Sequence, residues 1–82
     1  KCANIDLSKI KIKKIFSWLK KNKIDESEML KTFNCGVGFI IIIKKTKFNK
    51  IKKFFNKNYS PYIIGEIING KSKVLLNGKI NW

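Results

Sequence analysis

The residues best suited to chemistry in this sequence lie in one short stretch, Thr32-Phe33-Asn34-Cys35-Gly36-Val37-Gly38. Thr32 and Asn34 carry polar side chains, and Gly36 and Gly38 let backbone N–H groups approach a ligand closely. Residues of these types could line a ligand-binding cleft, so Thr32, Asn34, Gly36 and Gly38 are the candidate substrate-binding residues. The alternative is a tight helix-to-strand turn in which Asn34 bonds only to nearby backbone.

Independent catalysis and metal binding are not expected of this chain. It has no histidine and five acidic residues, and helix capping accounts for three of these, Asp25, Glu26 and Glu28. Cys35 has no neighbouring base, which favours a small buried side chain over a nucleophile. Cys2 and Cys35 make no metal motif, and reduced thiols in a cytoplasmic protein are favoured over a disulfide. We therefore predict no catalytic residue, no metal and no cofactor for this chain alone.

Two helices are predicted to precede this turn in the sequence. The stripe of Ile12, Ile15, Phe16 and Leu19 predicts an amphipathic helix over residues 9–22. Asp25, with Glu28 three residues later, predicts a capping box and a short helix over residues 26–31.

The most apolar run in the chain follows the turn. Residues 37–43 have no polar face, which predicts a strand covered on both sides. Thr46 is a candidate N-cap for a helix over residues 47–57. A strand over residues 62–68 contains Gly65, which indicates a bulge or a close approach. Asn69-Gly70 then predicts a hairpin turn into a strand over residues 72–76.

These elements predict an α+β fold, a small mixed sheet with helices on one face, in the order α-α-β-α-β-β. Residues 1–82 form a single partial domain, with residues 1–8 as an irregular or short extended lead-in and residues 77–82 folding back or fraying. Successive side chains of the 37–43 strand point to opposite faces, and one helical layer covers only one face. We therefore expect the other face to be covered by a second copy of the chain or by missing polypeptide.

The charge is strongly positive, with a formal net charge of +14 over 82 residues. Every basic residue is lysine, whereas nucleic-acid binding usually includes the bidentate fork of arginine. Abundant Lys, Ile and Asn favour an AT-rich genome over a selected nucleic-acid surface, so we expect only non-specific attraction to nucleic acid. No run is long enough to span a membrane and no signal peptide is visible, which predicts a cytoplasmic protein.

Three segments together carry a family resemblance. They are Ile15-Phe16-Ser17-Trp18-Leu19, then Glu28 through Gly38 (EMLKTFNCGVG), then Tyr62-Ile63-Ile64-Gly65-Glu66-Ile67. The chain resembles, from about Ala3 to Val74, the C-terminal end of phosphoribosylformylglycinamidine cyclo-ligase, the aminoimidazole ribonucleotide synthetase of purine biosynthesis. The long EMLKTFNCGVG block is specific, although Lys31 stands where the family usually has arginine.

The resemblance implies the fold of that C-terminal domain and an ATP-dependent ring closure. Family members phosphorylate formylglycinamidine ribonucleotide, and ring closure then gives aminoimidazole ribonucleotide. ATP and Mg²⁺ are implied for the full-length enzyme, as is a phosphoribosyl substrate. The nucleotide-binding domain has no counterpart in this chain, so we expect the chain by itself to be inactive.

Two interpretations of function follow. The chain is a fragment or truncated homologue of the cyclo-ligase that pairs with the missing portion or forms a homo-oligomer. Alternatively, it is a catalytically inactive stand-alone remnant that acts as an assembly or binding module through an exposed sheet face.

Overall fold

The computed structural model describes residues 1–82 as three strands and three α-helices, with three short 3₁₀ turns. In chain order these are β1 (Cys2–Asp6), α1 (Lys14–Lys21), α2 (Glu26–Thr32), α3 (Phe48–Lys52), β2 (Gly65–Ile68) and β3 (Val74–Asn77). The 3₁₀ turns cover Leu7–Lys9, Lys45–Lys47 and Lys57–Tyr59. The predicted α+β class with a small mixed sheet is confirmed.

β1 is the central strand of the sheet, whose strand order is β2-β1-β3. β1 pairs antiparallel with β2, from Cys2 opposite Ile68 to Ile5 opposite Gly65, and parallel with β3, from Ala3 opposite Val74. Residues 1–8, predicted as a lead-in, therefore supply the strand on which the sheet is built. Two of the five residues of β1, Asn4 and Asp6, are polar, and pairing with β2 and β3 makes it the central strand.

The predicted hairpin at Asn69-Gly70 is wrong, because β1 lies between the two strands that it was to join. The turn signal marks a reversal of the chain, but the strands on either side pair with β1 rather than with each other. Gly65 makes the close approach that its position suggested. A Cβ added there would overlap the Asn4 carbonyl group of β1.

The apolar run at residues 37–43 forms no strand in this chain. The element order is therefore β-α-α-α-β-β rather than α-α-β-α-β-β. A strand needs a partner for its backbone groups, and residues 37–43 pair with none of the three strands of the sheet. From Gly38 to Ile43 the backbone makes no backbone–backbone hydrogen bond.

The helices are shorter than predicted, except for α2. α1 begins at Lys14 rather than near residue 9, and α3 ends at Lys52. α2 matches the prediction to within one residue. Asp25 occupies its N-cap position but its side chain makes no capping hydrogen bond, so the predicted capping box is not formed. Thr46 lies inside a 3₁₀ turn rather than at an N-cap.

The core of the chain is small. The buried residues are Cys2, Leu7, Met29, Cys35 and Ile80. The rings of Phe16 and Phe33 lie 6.0 Å apart and join α1 to the end of α2. Ile80 is buried, so the last residues fold back onto the chain. Much of the remaining apolar surface is exposed, most of all Phe39, which is 86% accessible to solvent.

Candidate functional site

The turn from Asn34 to Val37 is built by hydrogen bonds within four residues. The Val37 N–H donates to the Asn34 backbone carbonyl at 2.9 Å, and the Gly36 N–H donates to Asn34 Oδ1 at 2.9 Å. Cys35 and Gly36 have φ values of 51° and 98°, as in a type I′ turn. Asn34 therefore shapes the turn through its own side chain, and Gly36 supplies a conformation that other residues rarely adopt.

The four predicted binding residues are not equivalent in the structure. Thr32 is the last residue of α2 and is exposed, and Asn34 is exposed beyond it. Gly36 is half-buried inside the turn, whereas Gly38 is exposed with no atom near the position of a Cβ. The turn brings Asn34 and Gly36 into direct contact and leaves Thr32 and Gly38 at its two ends. Ligand binding by these four residues stays a prediction.

A lysine-bearing stretch before α1 lies against the turn. A Cβ added to Gly36 would lie 3.1 Å from the Lys11 carbonyl oxygen and 3.5 Å from the Lys13 amide nitrogen. The exposed Lys11 and Lys13 are therefore brought next to the glycine turn by the fold. A cationic surface of this kind attracts anions most strongly at low ionic strength.

Tyr62 holds this stretch in place. Its hydroxyl oxygen accepts a hydrogen bond from the Lys11 backbone N–H at 3.0 Å, and Lys11 Nζ lies 4.7 Å from the centre of its ring. Neither Lys11 nor Tyr62 was predicted from the sequence as part of the site. Lysines occur throughout the chain, and Tyr62 lies 51 positions away from Lys11, so no local pattern marks the pair.

Cys35 is a buried side chain rather than an exposed nucleophile. It is 2% exposed, and its thiol lies 3.8 Å from the carbonyl oxygens of both Met29 and Phe33. Burial raises the pKa of the Cys35 thiol, which disfavours the reactive thiolate. Cys2 and Cys35 are both free, as the sequence indicated.

An apolar groove borders the turn. Its volume is about 310 Å³, and it is lined by side chains of the sheet, of the end of α2 and of the turn itself. Asn34 is the one polar residue among its twelve lining residues. The turn thus borders an apolar groove as well as the lysine-bearing stretch.

The acidic residues do not assemble into a metal site. No three Asp, Glu, Cys or His side chains come together as metal ligands within residues 1–82. Glu26 and Glu28 lie in the first turn of α2, where negative charge interacts favourably with the helix dipole. The acidic residues therefore offer Mg²⁺ no all-protein set of ligands. No helix has the length and apolar character needed to cross a membrane.

Comparison with protein families matches residues 2–77 to the model of AIR synthase related protein, C-terminal domain. A phosphoribosylformylglycinamidine cyclo-ligase of Carboxydothermus hydrogenoformans is 40% identical over 68 residues, which cover 80% of this chain and 20% of the relative. The trifunctional purine biosynthetic protein adenosine-3 of Gallus gallus is 34% identical over 65 residues, covering 78% of this chain and 6% of that protein.

The protein of the same name from Chironomus tentans is 43% identical over 68 residues, covering 80% of this chain and 5% of the relative. The chain thus spans a fifth or less of the length of these curated relatives. No solved structure matches the chain significantly.

Proposed function

This chain belongs to the family of AIR synthase related protein C-terminal domains, and we propose that it acts as part of a phosphoribosylformylglycinamidine cyclo-ligase. In this proposal it supplies part of the substrate-binding side of an enzyme that closes the imidazole ring of formylglycinamidine ribonucleotide with ATP. It works in a complex with polypeptide that corresponds to the rest of the relatives' length.

The observation that carries the proposal is the Asn34–Val37 turn together with its setting. The turn contains the most distinctive part of the sequence block that links the chain to the cyclo-ligase. It also lies beside Lys11 and Lys13, which carry positive charge next to exposed polar groups. A phosphoribosyl substrate is an anion, and lysine ammonium groups and backbone N–H groups are common ligands for phosphate oxygens.

The role that these residues support is binding and orientation. Asn34 fixes the backbone of the turn, and Tyr62 fixes the stretch that bears Lys11. Correct placement of a substrate contributes substantially to catalysis, because it converts a bimolecular encounter into an oriented one. The turn carries no histidine or carboxylate, so we assign no proton transfer to it.

ATP and Mg²⁺ in this proposal belong to the complete enzyme. ATP supplies the phosphoryl group that activates the substrate, and Mg²⁺ neutralises its charge. The acidic residues of this chain form no group of three metal ligands, so no step through ATP or the metal is derived from them.

Complementation tests the proposal. The chain would be co-expressed with a cyclo-ligase, such as that of Carboxydothermus hydrogenoformans, from which the matching region has been deleted. We expect the purified pair to form aminoimidazole ribonucleotide from formylglycinamidine ribonucleotide and ATP, and each part alone to form none. A folded, stably associated pair without turnover would contradict the proposal.

Variants of the chain then test the turn. Asn34→Ala should lower the turnover of the pair roughly tenfold, which corresponds to about 1.4 kcal/mol of transition-state stabilisation. Asn58→Ala is the matched control, because Asn58 is an exposed asparagine outside the turn. Equal turnover of the two variants would place the substrate elsewhere on the enzyme.

The alternative is an inactive module that assembles through an exposed apolar face. It predicts association without turnover, so the same experiment distinguishes it from the enzyme fragment. The names of the relatives favour the enzyme fragment, because each relative is named for purine biosynthesis or for the ring-closing ligase.

A further inference from the structure

The tripeptide Asn-Gly-Lys occurs twice near the end of the sequence, at residues 69–71 and at residues 77–79. Both asparagines are exposed, and each follows an aliphatic residue, Ile68 in the first case and Leu76 in the second. The intrinsic chemistry of the two sites is therefore closely matched. A difference in their reactivity must come from the fold.

Asparagine followed by glycine is prone to spontaneous deamidation, because glycine has no Cβ to hinder attack by its backbone nitrogen. At the first site the Gly70 nitrogen loses its proton to a solvent base and attacks Asn69 Cγ. The new N–C bond closes a succinimide ring, the Cγ–Nδ2 bond breaks, and the Nδ2 group takes up a proton and leaves as ammonia. Water then opens the ring and leaves aspartate or isoaspartate at this position.

The sheet holds the backbone of Asn77 but not that of Asn69. Asn77 is the last residue of β3 and lies opposite Asp6 in the parallel pairing with β1. Asn69 follows the last residue of β2, and the pairing of β2 with β1 ends at Ile68. Ring closure requires the asparagine to rotate until Cγ meets the glycine nitrogen. Strand pairing opposes that rotation at Asn77, so the reacting atoms reach the required geometry more easily at Asn69.

The side-chain amides of the two asparagines also have different partners. Asn77 Nδ2 donates a hydrogen bond to Asn4 Oδ1, and this holds the nitrogen that must leave. Asn69 Nδ2 is not held in this way, and Asn69 Oδ1 accepts a hydrogen bond from Lys1 Nζ at 3.1 Å. Attack on Cγ places negative charge on Oδ1, and a neighbouring ammonium group stabilises such charge. These contacts therefore slow the reaction at Asn77 and favour it at Asn69.

The charge beside each glycine acts in the same direction. A Cβ added to Gly78 would lie 3.2 Å from Asp6 Oδ1, whereas a Cβ added to Gly70 would lie 3.5 Å from Cys2 Cβ. A carboxylate beside Gly78 opposes loss of the proton from the Gly78 nitrogen, because that loss would create a second negative charge nearby. The glycine nitrogen is therefore the weaker nucleophile at the second site.

We propose that Asn69 is a site of spontaneous deamidation and that the fold protects the same tripeptide at Asn77. The aspartate product places a carboxylate beside Lys1 Nζ, so an ion pair replaces the hydrogen bond. The isoaspartate product lengthens the backbone directly after β2. The proposal does not depend on the ring-closing reaction, because it rests on the two asparagines and their surroundings alone.

Peptide mapping of the aged 82-residue chain tests this inference. The chain would be incubated in mildly alkaline buffer of low ionic strength and digested with trypsin, which separates the two sites into residues 58–71 and 74–79. Tandem mass spectrometry detects the exchange of NH₂ for OH at each asparagine. In the folded chain Asn69 should deamidate at least about tenfold faster than Asn77, since the hydrogen bond that holds Asn77 alone has an effect of up to that size.

The unfolded chain is the internal control. In guanidinium chloride neither asparagine keeps its contacts, so the two matched tripeptides should deamidate at similar rates. Equal rates in the folded chain would overturn the proposal, as would a faster reaction at Asn77. An Asn69 that reacts in the unfolded chain but not in the folded chain would also overturn it.

Two variants test the contacts that distinguish the sites. Asn4→Ala removes the partner of the Asn77 amide and should raise the rate at Asn77 several-fold, with the rate at Asn69 unchanged. Lys1→Ala should lower the rate at Asn69 several-fold with the rate at Asn77 unchanged, and added salt should reduce this effect. A variant that fails to fold is recognised by the unfolded rates at both sites. If the ratio of the two rates stayed unchanged in both folded variants, the assignment of the difference to these contacts would be wrong.

Discussion

Replacing Gly36 by alanine should destabilise the chain, whereas replacing Gly38 should not. Both glycines belong to the same turn sequence, but only Gly36 has a φ in the left-handed region, at 98°. An alanine Cβ at Gly36 would also lie 3.1 Å from the Lys11 carbonyl oxygen, whereas one at Gly38 would meet no atom within 4 Å. The two variants therefore compare the same chemical change in a strained and an open setting.

The expected difference in free energy of unfolding between the two variants follows from the backbone conformation at each glycine. A non-glycine residue in a sparsely populated backbone conformation costs about 1–3 kcal/mol, so Gly36→Ala should lower the free energy of unfolding by that amount. At an unstrained position, glycine to alanine raises stability by about 0.4–1 kcal/mol through the unfolded chain. A domain of this length has a total stability of about 4–12 kcal/mol, so the Gly36 effect is a large fraction of it.

Urea denaturation followed by far-ultraviolet circular dichroism measures both free energies of unfolding. Gly36→Asn separates the two causes, because asparagine tolerates positive φ better than alanine but brings the same Cβ against Lys11. A smaller loss for asparagine than for alanine would assign most of the cost to backbone conformation. Equal free energies of unfolding for Gly36→Ala and Gly38→Ala would refute the reasoning about this turn.

Three further predictions concern the sheet, the buried thiol and the end of β1. Gly65→Ala should lower the free energy of unfolding by about 1–3 kcal/mol or more, because its Cβ would overlap the Asn4 carbonyl. Protection of the β1 and β2 amides in hydrogen exchange should then fall. Unchanged protection would contradict the close approach. Burial raises the pKa of the Cys35 thiol. The stability that the buried protonated thiol contributes is therefore present below the ordinary thiol pKa and is lost as the pH rises above that value. The difference in unfolding free energy between the native chain and Cys35→Ala should therefore narrow between pH 8 and pH 10, and a constant difference would be inconsistent with a buried thiol. A hydrogen bond from the Ser8 hydroxyl lowers the pKa of Asp6, and a smaller contribution comes from the Ser8 backbone N–H. Ser8→Ala should therefore raise the midpoint of Asp6 in an NMR titration. Any stability that Asp6 adds is lost as the pH falls through the pKa of Asp6 in the folded chain.

Local patterns predicted the helices better than the sheet. The acidic residues after Ile24 located α2 to within one residue, although the predicted capping hydrogen bond is absent. Negative charge in the first turn of a helix interacts favourably with the helix dipole, and this effect acts over a single turn of the chain. The ends of α1 and α3 were overestimated, since an apolar stripe continues beyond the residues that the fold keeps helical. Of the two alternatives predicted for Gly65, a bulge or a close approach, the structure shows the close approach, and its partner, Asn4, was not predicted.

Sequence patterns did not predict which segments pair as strands. Residues 2–6 mix apolar and polar side chains in a short run, yet they form the central strand, because β2 and β3 both pair with them. The strongly apolar residues 37–43 have no partner strand within the chain. A strand forms only by pairing with a neighbouring strand, so a strong apolar pattern in the sequence does not show where a segment pairs.

By itself the sequence determined the α+β class, the glycine turn, the family and the positive charge, since each is carried by residue types and short spacings. The tertiary structure decided that β1 is the central strand, that Gly36 rather than Gly38 needs to be glycine, and that Lys11 and Tyr62 lie beside the turn. It also decided that Phe39 to Ile43 line an open cleft. These features depend on contacts between residues far apart in the chain, and such contacts leave no periodic signal in the sequence.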